Sequence, residues 1–550
     1  MTSTLRGADI VMRTLEGAGV GTVFTLSGNH IMSLFDAALE TGIDLLHVRQ
    51  EAAAVHMADA WGRLTGTPGV AMVTGGPGHA NAVPALFTAR AQDSPLLLLS
   101  GHTATNELGR GGFQELRQAD LAAPLAKASW TAQRTESLGE EIAHALRLAT
   151  AGRPGPVHLS LPSDVLDRVV PAAAVDWPAA PAFRAAAVDL APAAADAALA
   201  LIATAERPLL IAGPQLGTAG GRVLLGRITA ATSMPAVVME SPRGLADATL
   251  GAFAALVART DLIVLLAKPL DFTLRFGDLP GDGAARRWIM LDPEAVILSR
   301  AAQELGPALA LGCLADAHPA GEALIRQAAG RTVARTAWCA EAATRRDARP
   351  AAWADLRATT PARLHPIEVM RALAPHLAAD PETVLICDGG EFAQWGQSVL
   401  RVKRRLVNGV GGSIGSSLPF ALAARVAESR APVLAVLGDG TFGFHMAEFE
   451  TAVRRGLKFV AVVGTDARWN AEHNLQLRDY GPNRAHGCEL LATRYDLVVA
   501  ALGGHGELVT AAEQLPGAIT RALASDRPAC INVMIESIAS PALRGDEAMG

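Results

Sequence analysis

The clearest chemistry in this 550-residue sequence is a glycine-framed aspartate followed by a second aspartate farther along. Gly438-Asp439-Gly440-Thr441 comes directly after the apolar run 432–437. Glycines at the carboxyl end of a parallel strand let backbone N–H groups approach a phosphate, and an Asp among them offers a hard oxygen to Mg2+. Asp466 follows another apolar run, 459–463, one strand–helix–strand unit later. An interval of that kind returns the chain to the same sheet edge, so the two carboxylates can meet at one cation. Either Asp alone fits a helix cap or turn as well. The strand-following pair is what favours a metal-bridged diphosphate.

Such a turn has to be held by parallel sheets, and apolar strands alternate with helices from end to end, which predicts an α/β protein of doubly wound parallel sheets. Three domains are expected, 1–170, 190–330 and 360–540. An Ala- and Pro-rich stretch, about 168 to 190, reads as the first linker. Half of the residues are hydrophobic and 19% charged, enough for large cores and unlike a disordered chain. The formal charge is -6, with no basic block of the kind that neutralises a phosphate backbone, which argues against a nucleic-acid partner. The uncharged stretch 409–424 is broken by Gly, Ser and Pro419 and is too short for a membrane span. From Met1 the chain runs into an amphipathic helical pattern without a secretory h-region, so a cytoplasmic protein is expected. Its five cysteines are dispersed and form no CxxC pair, as reduced thiols would.

Motifs across nearly the whole chain, in order, give a resemblance. His47-Val48-Arg49-Gln50-Glu51-Ala52-Ala53 places a Glu in an R-x-E-x-A context, Thr74-Gly75-Gly76-Pro77-Gly78-His79-Ala80-Asn81 is a glycine-rich turn, and Phe113-Gln114-Glu115 and Gly28-Asn29-His30 lie in the same block. With Gly438-Asp439-Gly440 and Thr465-Asp466, these resemble the thiamine-diphosphate-dependent enzymes of the acetolactate synthase, pyruvate oxidase and benzaldehyde lyase group. The sequence departs from that group in carrying Thr465-Asp466 where an Asn pair is usual.

The resemblance implies a first domain binding the aminopyrimidine of thiamine diphosphate, a middle domain, and a third domain binding its diphosphate. It implies that Glu51 shares a proton with the pyrimidine nitrogen N1′ and so promotes the C2 ylide. Pro77 and Asn81 belong to the pyrimidine side. Gly438, Gly440 and Thr441 belong to the diphosphate end, and Ser413 with Ile414 forms the turn whose isoleucine wedges the cofactor into its V shape. Mg2+ would be held by Asp439, Asp466 and the backbone carbonyl of Arg468. His30 and Gln114 are the candidates beside the reacting carbonyl, and Trp469 and His473 fit a substrate channel or the packing of a helix equally well. Active sites assembled between subunits of a homodimer or homotetramer follow from the same resemblance.

The expected activity is a C–C lyase, carboligase or decarboxylase acting on 2-keto acids or 2-hydroxy ketones through an enamine. The alternative within the group is an acetolactate synthase that also binds FAD, for which Gly213-Pro214-Gln215-Leu216-Gly217 supplies no GxGxxG fingerprint. A non-catalytic homologue would not need Glu51 and two metal carboxylates. A nicotinamide-dependent dehydrogenase would need a dinucleotide fingerprint that the sequence lacks.

Overall fold

The computed structural model describes residues 4–281, 286–331, 333–541 and 543. The chain divides into two compact units. The first runs to Ala186 and takes in Leu422–Glu428 and Glu450–Arg455, and the second comprises the remainder.

The first unit is built on a six-stranded sheet with spatial order Asp44–His47, Thr22–Thr25, Gly69–Val73, Leu96–His102, Pro156–Pro162, Ala128–Thr131. Every pairing is parallel. Leu96–His102 and Pro156–Pro162 are buried along their whole length, as expected of central strands covered by helices on both faces. The chain lays down Thr22–Thr25, moves outward to Asp44–His47, then crosses back to Gly69–Val73. That reversal opens a crevice at the strands' carboxyl ends, where ligands of such sheets bind.

The second unit contains two parallel sheets. The middle one is five-stranded, in the order Ala236–Val238, Pro208–Ala212, Leu262–Leu266, Arg287–Asp292, Leu309–Leu314. The carboxyl-terminal one is six-stranded, in the order Arg404–Val407, Val384–Asp388, Val433–Gly438, Val460–Thr465, Ala529–Met534, His505–Val509. In chain order, the first and last sheets repeat one layout: second strand, first, third, fourth, sixth, fifth. In the last sheet the reversal lies between Val384–Asp388 and Val433–Gly438, where Asp388 is in register with Leu437. Leu434–Gly438 pairs in parallel with Val460–Gly464, so the chain segments that carry Asp439 and Asp466 leave the same edge.

The expected α/β architecture is therefore present, with two differences in detail. Met1–Ser3 lie outside the described residues, and Thr4–Arg6 is a short strand before the helix Gly7–Gly17 begins. It pairs antiparallel with Val169–Pro171, which ties down the start of the stretch read as a linker because Val170 can bury its side chain there. Among the described residues no helix is long and apolar enough to cross a membrane. All five cysteines are free.

Candidate active site

In the first unit the candidates gather around the turn that follows Gly69–Val73. Gly76 has φ +57° and ψ -111°, a conformation that glycine alone adopts without strain. A Cβ there would also stand 2.5 Å from the Gln114 carbonyl oxygen. Pro77 then starts the helix Pro77–Ala91, its missing N–H costing nothing at that position. The turn is held from behind by Gln118, whose Oε1 accepts the Gly76 N–H at 2.8 Å while its amide donates to Gly101 O and Ser160 Oγ, both at 3.0 Å. Below this lie His79, hydrogen-bonded to Ser100 Oγ at 2.8 Å, and His158, with ring centroids 4.5 Å apart. Burial pushes His79 down to about 4 and His158 well below its usual range, so both rings are neutral structural groups.

Glu51 is the first residue of the helix Glu51–Thr65, whose leading N–H groups are taken by the Gln50 side chain. This capping leaves the Glu51 carboxylate available to other groups. Asn81 donates to its Oε2 at 3.1 Å, and a Cβ added at Gly78 would lie 3.6 Å from its Oε1. Glu51 is only half-buried in the single chain. The reason is its place as a helix-starting residue at the sheet's carboxyl edge.

His30 belongs to the short turn Asn29–Ile31 after Thr22–Thr25. Its Nδ1 lies 3.3 Å from Thr74 Oγ1, and its ring stacks on Phe113 with centroids 5.9 Å apart. Burial lowers its proton affinity, partly opposed by a hydrogen bond with the Phe113 backbone. Phe113 is 64% exposed, and the next residue, Gln114, has φ +57°, unusual for a side chain of its size. The loop is fastened by Glu115, whose carboxylate accepts N–H groups from Gly109, Gly111 and Gly112. Glu51, Asn81, Pro77, His30 and Gln114 are thus arranged about one turn.

The other candidates gather in the second unit, at the carboxyl edge of the last sheet. Asp439 starts the helix Asp439–His445, with Oδ1 accepting from Gly440 N–H and Oδ2 from Ala467 N–H, each at 2.9 Å. Ala467 reaches it with φ +61°. Asp466 Oδ1 accepts the Arg468 N–H at 3.2 Å. Burial pushes Asp439 up to about 6, and burial followed by the charge of Asp439 pushes Asp466 up to about 7. Two carboxylates so placed resist ionising together, and a divalent cation between them removes that penalty. The donor set therefore fits Mg2+. Among the described residues no cluster of three His, Cys, Asp or Glu side chains forms a metal site by itself, so further ligands have to come from backbone, cofactor or water.

A small cavity of about 60 Å3 is lined by Ile414, Gly438, Asp439, Gly440, Thr441, Asp466, Arg468 and Trp469. The Trp469 ring covers Gly440, where an added Cβ would stand 2.6 Å from it. Ile414 packs so closely on Gly389 that a Cβ there would be 2.4 Å from its Cγ2. The Ser413 carbonyl, just before it, accepts from Asn408 Nδ2 at 2.8 Å. Thr465, standing for the usual Asn, turns away and donates to Asn532 Oδ1 at 2.6 Å. His473 is buried and does not line this cavity.

Sequence reasoning missed two supporting residues. Gln118 has no motif around it. Asp388 carried a signal, because Asp388-Gly389-Gly390 follows an apolar strand just as Gly438-Asp439-Gly440 does. Its Oδ2 accepts N–H groups of Gly415 at 3.0 Å and Ser417 at 2.7 Å and the Ser416 hydroxyl at 3.3 Å, securing the loop that carries Ile414.

Residues 5–121 match the family described as thiamine pyrophosphate enzyme, N-terminal TPP binding domain, and residues 388–533 match its C-terminal TPP binding domain. A probable acetolactate synthase of Mycobacterium bovis is 32% identical over 98% of this chain and 97% of its own length. A 2-hydroxyacyl-CoA lyase of Oryza sativa is 28% identical over 97% of this chain and 96% of its own. An acetolactate synthase of Bacillus subtilis is 29% identical over 96% and 93%.

Proposed function

Because the chain belongs to the thiamine pyrophosphate enzyme family, with the carbon–carbon bond chemistry of its lyases and transferases, we propose that it is a thiamine-diphosphate- and Mg2+-dependent lyase or carboligase acting on 2-keto acids or 2-hydroxy ketones. The observation that carries this reading is the pairing of buried Asp439 with half-buried Asp466 beside a glycine-framed cavity walled by Ile414. Bound thiamine diphosphate supplies a carbon nucleophile and an electron sink.

In this reading the protein's residues divide the work. Asp439, Asp466 and the Arg468 carbonyl hold Mg2+, while the turn of Gly438, Gly440 and Thr441 gives the diphosphate its seat. Ile414 and Ser413 support the cofactor between its two rings. Glu51 holds a proton at the aminopyrimidine nitrogen N1′, and Asn81 orients its carboxylate through their hydrogen bond. Pro77 and the turn before it shape the pyrimidine seat. His30, neutral near pH 7, and the Gln114 amide hydrogen-bond the substrate's carbonyl oxygen as charge develops there. The three sheets serve as pyrimidine, middle and diphosphate domains. Homodimers or homotetramers pair the pyrimidine seat of one subunit with the diphosphate seat of another.

A second reading, condensation of two 2-keto acids as in an acetolactate synthase, is favoured by the Mycobacterium bovis relative of that name. A substrate panel separates the readings: pyruvate, benzoylformate, benzoin, acetoin and a 2-hydroxyacyl thioester, each with thiamine diphosphate and Mg2+. Acetolactate formed from pyruvate alone selects the second reading. Cleavage of a hydroxy ketone or hydroxyacyl thioester selects the first, and inertness toward all five rejects both.

A further inference from the structure

Away from both groups of candidates, the second unit holds a cleft of about 440 Å3. It lies between the edge strand Ala236–Val238 of the middle sheet and the segment leading into Arg404–Val407, the edge strand of the last sheet. Four guanidinium groups line it, from Arg222, Arg346, Arg401 and Arg405, together with apolar surface from Leu225, Val237, Leu250 and Leu400. The Gly213–Gly217 turn at the carboxyl edge of the middle sheet is not part of its lining.

The acids around the cleft do not balance the arginines. Glu240 serves two of them, Arg222 at 3.2 Å and Arg405 at 2.5 Å. Asp347 serves the other two, Arg346 at 3.3 Å and Arg401 at 4.0 Å. A fifth arginine, Arg349, is held by carbonyl oxygens, among them Ser398 O at 2.6 Å and Thr249 O at 3.0 Å. Asp247 is the third acid near the group, and it spends one oxygen on the Thr249 N–H at 2.9 Å. Burial, then the nearby charge of Arg401, lowers Arg349 to about 10. Arg401 itself is lowered by burial and by Arg405 and Arg346. Five arginines against three acids leave an excess of positive charge beside a partly apolar cavity.

An independent feature points to a ligand. Thr249 lines the cleft, is only 5% exposed, and its hydroxyl has no hydrogen-bond partner among the described residues. A buried hydroxyl without a partner is costly unless something else satisfies it. Arg401 Nη1 lies 3.3 Å from the carbonyl oxygen of the same residue. Planar guanidinium forks and a hydroxyl donor suit a phosphate group, and the volume leaves room for an organic body against the leucines.

We propose that this cleft binds a phosphate ester with an apolar or aromatic body, its phosphate taken by Arg346, Arg401 and Thr249 and its body laid on Leu225, Val237 and Leu400. The test is calorimetric titration of the full-length protein, already saturated with thiamine diphosphate and Mg2+ so that the cofactor seat is filled. The titrants are adenosine 5′-monophosphate, phenyl phosphate and inorganic phosphate. At least one ester binds, and inorganic phosphate binds at least tenfold more weakly. Whichever ester binds better tells a nucleotide from a simple aryl phosphate. Arg401→Gln and Arg346→Gln each weaken that ester at least tenfold while leaving thiamine diphosphate affinity unchanged. Leu225→Trp, which fills the cleft and keeps its charges, blocks the ester as well and covers the case of an arginine variant that fails to fold. No binding of either ester at millimolar concentration overturns the proposal. So do inorganic phosphate binding as tightly as the esters, and ester affinity that survives both Arg401→Gln and Leu225→Trp.

Discussion

Asp388 positions Ile414 without touching it through a side-chain bond: one carboxylate oxygen gathers the N–H groups of Gly415 and Ser417, at 3.0 and 2.7 Å, immediately after the isoleucine. Asp388→Ala leaves both buried N–H groups without their acceptor, at a cost of about 1–3 kcal/mol. The loop loosens, and thiamine diphosphate affinity falls at least tenfold in a calorimetric titration. Unchanged cofactor affinity would show that Ile414 needs no such support.

The same carboxyl makes a pH prediction. Burial raises Asp388 from 3.8 to about 6, so the folded protein takes up its proton before the unfolded chain does. That uptake favours the folded state at low pH, and the advantage is lost as pH rises from about 4 to about 6, by about 1.4 kcal/mol per pH unit. Asp388→Asn cannot titrate. Denaturant unfolding should therefore show wild-type stability falling relative to the Asn variant across that window, and parallel curves would refute the assignment.

Glu51→Gln should suppress hydrogen–deuterium exchange at C2 of bound thiamine diphosphate by at least about a hundredfold, the scale of a lost general acid–base group. Cofactor binding and the melting temperature should change little, because Glu51 is half-buried and its own helix is capped by Gln50. Exchange at the wild-type rate would remove Glu51 from the chemistry.

Asp439→Ala should weaken Mg2+ and thiamine diphosphate together, by tenfold or more, and chelation of the metal from the wild-type protein should mimic it. The readout is cofactor affinity by calorimetry with and without Mg2+. If affinity responds to neither change, the acidic pair has another purpose.

Gly76→Ala meets two obstacles at once, a φ of +57° and a contact of 2.5 Å with the Gln114 carbonyl. A loss of about 1–3 kcal/mol in unfolding free energy is expected, with a drop in turnover because Gln114 is displaced. An unfolding curve that overlays the wild type would mean that the turn has more room than its geometry shows.

The parallel sheets are legible from the sequence because their strands are buried on both faces and appear as short, unbroken apolar runs such as 96–99 and 460–463. The proximity of Asp439 and Asp466 is legible for a related reason, since a parallel crossover brings successive strand ends to one edge. What escapes is anything fixed by contacts distant in sequence. Gln118 meets Gly76 across 42 positions and Asp388 meets Ser417 across 29, and no local periodicity encodes either meeting. The half-buried state of Glu51 is hidden too, because exposure depends on what the rest of the chain lays over a helix end. The arginine cleft is assembled from helix, strand and loop segments spread over 222–405, and the basic run 401–405 does not by itself show that Arg222 and Arg346 meet it.

The first and last sheets share one strand order, second, first, third, fourth, sixth, fifth, yet their carboxyl edges hold unlike residues, a glutamate in one and an acidic pair in the other. One scaffold has thus been used twice for the two ends of a single elongated molecule. On the two-subunit reading, every polypeptide carries one of each half and neither half is useful by itself. Output then belongs to pairs of chains, so that dilution below the dissociation constant of the pair silences the protein as surely as mutation, and subunits crippled in opposite halves can rescue each other when mixed.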